Sequence, residues 1–216
     1  MSFISFIQAR AGYLLGLAID HVQITIVAVA IACIIGIPLG IFLVKHEKLS
    51  MVIMSIINAC QAIPSLAFLG ILIPLTGIGL KTTVILVIIY AILPITKNTY
   101  TAIHNLDPVM LETARGIGLT DMQVLTKIQI PLALPVVMAG VRIAGVWAVG
   151  TVTVAAYAGG GGLGSVIYSG ISMMNLNMIL SGAILACLIA LMMDFLIGLL
   201  EKLVTPDGLK NSKENK

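Results

Sequence analysis

Apolar residues run through this chain in long blocks, and polar residues gather in the intervals between them. Five blocks reach the roughly 20 residues that a helix needs to cross a hydrocarbon layer. They span about 22–44, 50–75, 82–103, 132–157 and 177–200. Hydrocarbon offers no partner to free backbone groups, so each block is expected to be helical. Pro38, Pro64, Pro94 and Pro135 fall within or at the edges of these blocks, where local kinks are expected. The first stretch, 1–19, is interrupted by Arg10 and lacks the positively charged start of a secretory signal. It reads as an amphipathic helix near the membrane surface, with a sixth span as the alternative. The expected organisation is a surface helix over 1–19, a transmembrane domain over 20–204 and a basic tail over 205–216.

The polar intervals orient this bundle. Lys45 and Lys48 follow the first block, Lys97, Arg115 and Lys127 surround the gap after the third, and Lys202, Lys210, Lys213 and Lys216 close the chain. The opposite set of connections holds only Arg10 and Lys81. Because Lys and Arg collect in cytoplasmic loops, the N-terminus is expected outside and the C-terminus inside.

Composition removes most alternatives. Hydrophobic residues make up 59% and charged residues 10%, and the mean hydropathy is +1.12. Soluble domains carry roughly a quarter charged residues, so no water-facing surface could be built here. The net charge of +3 sits at block ends rather than in one patch, which argues against nucleic acid. Cys33, Cys60 and Cys187 lie in apolar runs without a CxxC pair and read as small buried hydrophobes. His21, His46 and His104 are isolated near block ends, so no metal site is expected.

The longest polar interval, 104–131, lies on the predicted cytoplasmic side. Leu106–Asp107–Pro108 reads as a helix start, with Asp as cap and Pro at the first helical position. Gly118 can end that short helix, Thr120 or Asp121 can cap another, and Pro131 is expected to open the fourth span. Two short helices hinged at a glycine would project from the membrane surface.

Within this interval Glu112–Thr113–Ala114, three residues, Gly118, nine residues and Ile128–Gln129–Ile130–Pro131 resemble the EAA loop of binding-protein-dependent ABC importer permeases. Thr113 replaces the middle Ala of that pattern and Ile130 replaces Leu. Ile37–Pro38–Leu39–Gly40, Gln61–Ala62–Ile63–Pro64–Ser65–Leu66–Ala67, Ile73–Pro74–Leu75 with Gly77–Ile78–Gly79, Leu93–Pro94–Ile95 with Asn98–Thr99–Tyr100, and Gly159–Gly160–Gly161–Gly162–Leu163–Gly164 resemble the glycine betaine, carnitine and choline (Opu-type) group. One departure is Ser165–Val166 in place of Asp–Tyr.

The resemblance implies an all-α integral membrane protein with five core transmembrane helices. Its fold would be the type I importer permease fold shared with the methionine importer. It further implies a second permease subunit, identical or paralogous, a separate solute-binding protein outside, and two cytoplasmic ABC ATPase subunits. ATP and Mg would be bound by those ATPases, and no cofactor by this chain. The membrane would be the bacterial cytoplasmic membrane. Glu112, Thr113, Ala114, Arg115, Gly116, Gly118 and Leu119 would form the ATPase-coupling segment. Ala114 and Gly118, at i and i+4, would present a small-residue face for close approach, and Glu112 and Arg115 could pair with each other or with the ATPase.

Charges inside the spans are the other informative feature. Arg142 and Asp194 are ionisable residues well within blocks four and five, and they are expected to pair. A structural lock between the two spans and a contact with solute are both compatible with such a pair. Asn58, Gln61 and Ser65 place polar groups on one face of block two, either lining the pathway or bonding between helices. The run Gly159, Gly160, Gly161, Gly162 with Gly164 lacks the GK[ST] ending of a phosphate loop and reads as a flexible outer gate. With one Trp, five Tyr and five Phe, selective capture of a quaternary ammonium is expected of the separate binding protein.

The expected function is the permease subunit of an ATP-driven osmoprotectant importer. The alternatives are an ABC permease for another small solute, such as an amino acid like methionine, and a secondary transporter. The last would hold a coupling site at mid-membrane, commonly between internal repeats, and no repeat is evident. No HExxH or GxSxG motif suggests an intramembrane enzyme.

Overall fold

The computed structural model describes residues 2–205, which contain helices and connections but no strand; most of the basic tail lies outside the described residues. Helix α1, Phe3–Val44, runs 42 residues without a break. The boundary expected near residue 19 does not exist. Leu17, Ala18 and Ile19 carry no stop signal, so the helix propagates through them. Residues 3–19 are therefore the first part of one rod of about 63 Å, neither a separate surface helix nor a separate span. Phe6 and Leu14 pack there against Val166 and Met178.

The second apolar block is two helices, α2 (Glu47–Ala62) and α3 (Ser65–Thr76), bent by 102°. The expected kink is thus a full break. Proline has no N–H and forces the preceding residue out of the helical region, and Ile63 is extended at φ −74°, ψ 125°. The Ile63 carbonyl, freed by the break, accepts a hydrogen bond from the Tyr90 hydroxyl. Phe68 meets the Tyr90 ring edge-on at 6.1 Å.

Helix α4, Leu80–His104, is the centre of the bundle. It lies between α1 and α7 (Ile130–Ala155), and small residues let both approach it. A Cβ on Gly40 would stand 2.7 Å from Thr99 Cβ and 2.9 Å from the Thr96 carbonyl oxygen. One on Gly140 would stand 2.8 Å from the Pro94 carbonyl oxygen. Close packing of this kind replaces the hydrophobic effect as the cohesive force between helices in lipid. Around it Ile24, Ala28, Ala32, Val87, Ala91, Ile95, Ala144, Ala148 and Val152 form the main core.

Helix α5 spans Pro108–Gly116 and α6 spans Asp121–Val124. A π-helical turn, Leu125–Gln129, joins α6 directly to α7. Pro131 sits at the first positions of α7, as expected, but no break precedes it: one helical rod of 38 residues runs over Asp121–Ala158. The wide turn lets the Ile130 N–H bond to the Leu125 carbonyl, just before Pro131 interrupts the donor series. Helix α8 (Leu163–Ser172) folds back along the start of α9 (Leu176–Val204). Among the described residues, four helices are long and apolar enough to cross a membrane, and the bent α2–α3 pair can supply a fifth crossing. Cys33 and Cys60 are half-buried, whereas Cys187 is exposed on α9 rather than packed inside.

Candidate functional site

The α5–α6 segment is a rigid knob. Asp107 caps α5 by accepting from the Val109 N–H at 2.9 Å. At the other end, Gly118 N–H donates to the Arg115 carbonyl (2.9 Å) and Leu119 N–H to the Ala114 carbonyl (3.2 Å). This is a Schellman termination, and it needs the left-handed φ of +96° that Gly118 adopts. Thr120 and Gln123 then form a capping box on α6. Arg115 does not pair with Glu112. Its Nε meets Asp121 Oδ1 at 3.1 Å across the hinge, because the turn brings Asp121 alongside.

The knob's two faces differ. Ala114 and Val124 are buried, so the anticipated Ala114–Gly118 docking face does not form. Ala114 points inward, and Gly118 has left the helix. A cleft of about 300 Å³ beneath is lined by Ile41, Val44, Ile103, Leu111, Glu112 and Arg115, among others. On the outer face Val109, Ile117 and Met122 are 67%, 76% and 67% exposed. Thr113 and Gly116 are also exposed, Glu112 and Arg115 are exposed where they line the cleft, and Leu119 is half-buried. Exposed apolar residues on α1 and α9 have acyl chains to meet. Those on the capped, charged turn between α4 and α7 lie outside the long apolar helices and stand exposed.

Arg142 and Asp194 meet across α7 and α9. Arg142 Nε donates to Asp194 Oδ1, and Nη2 donates to Oδ2 at 2.5 Å, a two-pronged pairing. The side chains remain 44% and 37% exposed. They border a groove of about 460 Å³ lined by Ala139, Ile143, Val146, Trp147 and Glu201.

Asn58 and Gln61 lie one turn apart on α2, as expected, but Ser65 does not share their face. Asn58 is exposed and Gln61 half-buried on α2, whereas the break at Pro64 turns Ser65 onto the start of α3. Gln61 Nε2 is buried with no hydrogen-bond partner.

The glycine run is a packed seam rather than a loose gate. Gly160, Gly162 and Gly164 are buried. A Cβ on Gly164 would stand 2.1 Å from the Thr153 carbonyl oxygen, and one on Gly160 1.9 Å from Thr83 Oγ1. Gly159, Gly161 and Gly162 take positive φ. The seam is pinned by His21, a residue that sequence reasoning set aside. Fully buried, it accepts from the Leu163 N–H at Nδ1 (3.3 Å) and faces the Val149 carbonyl with Nε2 (3.1 Å). Both bonds are satisfied by the neutral Nε2–H tautomer. No local signal marks this role, since the partners lie 128 and 142 positions away.

The family described as "binding-protein-dependent transport system inner membrane component" matches residues 32–206. The osmoprotectant import permease protein OsmW of Salmonella typhimurium is 39% identical over 215 residues, covering 97% of this chain and 100% of the relative. The glycine betaine/carnitine/choline transport system permease protein OpuCB of Bacillus subtilis is 36% identical, covering 97% of each chain. Among solved structures, an inward-facing conformation of the MetNI methionine ABC transporter superposes with a TM-score of 0.81. At 24% identity, with 89% of this chain and 96% of that one covered, this likeness concerns the fold.

Proposed function

Because this chain belongs to the binding-protein-dependent transport system inner membrane component family, we propose that it forms the solute pathway of an ATP-driven importer for glycine betaine, carnitine, choline or close analogues. It is a permease subunit of the cytoplasmic membrane, multi-pass and without enzymatic activity of its own. Its family works with an ATPase and a solute-binding protein. In this reading two copies, or this chain and a paralogue, enclose one pathway. Two ATPase subunits, holding ATP and Mg, bind from the cytoplasm. The α2–α3 pair counts as one broken span of five, with the N-terminus outside and the C-terminus inside. The Arg142–Asp194 pair ties α7 to α9, and the buried, unpartnered amide of Gln61 is a candidate for contact with pathway water or the second subunit.

The observation that carries coupling is the exposed apolar triplet Val109, Ile117 and Met122 on a knob continuous with α7. An ATPase groove that covers this triplet can push on a transmembrane rod without an intervening flexible joint. Replacing Ile117→Asp or Glu112→Lys should leave the permease inserted while the ATPase no longer co-purifies. ATP-dependent uptake into proteoliposomes should fall at least about tenfold, as for loss of an interface hot spot. Unchanged ATPase retention and uptake in both variants would remove the coupling role. Solute class is tested by titrating the cognate binding protein with glycine betaine, carnitine, choline and methionine; methionine alone binding would overturn the osmoprotectant reading.

A further inference from the structure

An ion pair inside a span is ordinarily turned into the protein, because charge facing acyl chains is costly. Arg142 and Asp194 depart from that pattern. Arg142 lies about 18 Å along α7 from Ile130, and Asp194 about 15 Å from the end of α9. Yet the pair opens sideways into the α7–α9 groove. Such a face has to meet water, solute or the second subunit rather than lipid.

The rest of the groove has a definite chemistry. Ala139, Arg142, Ile143, Val146 and Trp147 form one stripe of α7 at helical spacing, while Asp194 and Glu201 lie seven residues apart on the facing side of α9. Trp147, 50% exposed, is the one tryptophan of the chain. It stands about 7.5 Å along the axis from Arg142. An exposed indole face attracts quaternary ammonium groups. Arg142 carries five N–H groups, and two of them meet Asp194. A guanidinium fork is suited to a carboxylate.

We propose that this groove, walled by Trp147 and floored by the Arg142–Asp194 pair, is a transit subsite for zwitterions carrying a quaternary ammonium at one end and a carboxylate at the other. It deepens the importer reading above and rests on it. The ammonium lies against Trp147, and the carboxylate takes the edge of Arg142 that Asp194 leaves open. Because the solute carboxylate must share Arg142 with Asp194, binding is weak. Weak binding suits a pathway from which solute has to leave.

The complete transporter, reconstituted in proteoliposomes with its binding protein saturated, isolates this subsite, since every variant receives solute from the same donor. Initial uptake of glycine betaine, carnitine and choline is measured with ATP hydrolysis alongside. Trp147→Phe and Trp147→Leu have similar bulk, but only Phe keeps a π face. The Phe variant should retain half or more of wild-type uptake, and the Leu variant should lose roughly five- to tenfold for all three solutes. The paired change Arg142→Gln with Asp194→Asn removes both partners of the ion pair together. It should lower the ratio of betaine to choline uptake about tenfold, because choline has no carboxylate to place. Equal uptake by the Phe and Leu variants, or an unchanged ratio in the paired variant, would overturn the subsite. Should the paired variant fail to assemble, the Phe–Leu comparison decides alone. A wild-type complex that imports none of the three would remove the osmoprotectant reading, and the subsite with it.

Discussion

Gly118 carries the sharpest single-residue requirement in the knob. Nothing lies within 4 Å of a Cβ added there, so the obstacle to substitution is backbone conformation rather than space. At φ +96° an L side chain costs about 1–2 kcal/mol. Gly118→Ala should therefore loosen the Schellman turn and lower coupled ATP hydrolysis several-fold, while the purified permease keeps its melting temperature within a few degrees. An equally coupled Ala variant would show that the turn's geometry does not matter. How far such residues could be read from sequence depended on whether their partners were local. Asp107, Pro108, Gly118 and Thr120 act on backbone groups a few positions away, and their roles follow from residue type. His21 acts on Val149 and Leu163, and an isolated histidine at the margin of an apolar block gives no hint of such distant partners. Arg142 and Asp194 are intermediate: two opposite charges in neighbouring apolar blocks have few other partners, but which way the pair opens depends on the packing of α7 against α9.

At the scale of elements, periodicity and length located the apolar helices but misjudged their continuity in both directions. Arg10 suggested an interruption, yet an isolated charge does not end a helix, and α1 runs through. Pro64 suggested a kink, yet Pro38, Pro94 and Pro135 all sit inside continuous helices. What separates Pro64 is tertiary: α4 supplies the Tyr90 hydroxyl for the freed Ile63 carbonyl, together with the ring that meets Phe68. Removing that hydroxyl with Tyr90→Phe leaves the carbonyl unpaired and should destabilise the α2–α3 bend by about 1 kcal/mol. The effect should appear as a lowered melting temperature of the purified permease. No change on removal of the hydroxyl would mean that proline alone holds the corner.

For the whole molecule, the orientation argued from Lys and Arg placement makes a direct statement about accessibility. The turn between α8 and α9 exposes Met174 almost completely, and the knob exposes Ile117 at the opposite end. In a background with Cys33, Cys60 and Cys187 replaced by Ala, Met174→Cys should react with a membrane-impermeant maleimide on intact cells. Ile117→Cys should react only after permeabilisation. The reverse pattern would invert the topology and remove the cytoplasmic knob.

The rod formed by Asp121–Ala158 has a mechanical corollary. It makes a close contact with the centre of the bundle at Gly140, near the rod's midpoint and seated on the α4 backbone. Arms of roughly 28 Å extend from there to either end. A beam held at its middle is a see-saw: a nudge that draws its inner tip toward the molecular axis swings the outer tip away by a similar amount. In the proposed orientation, one stroke at the inner membrane face would thereby shut that side and part the other without any helix changing length.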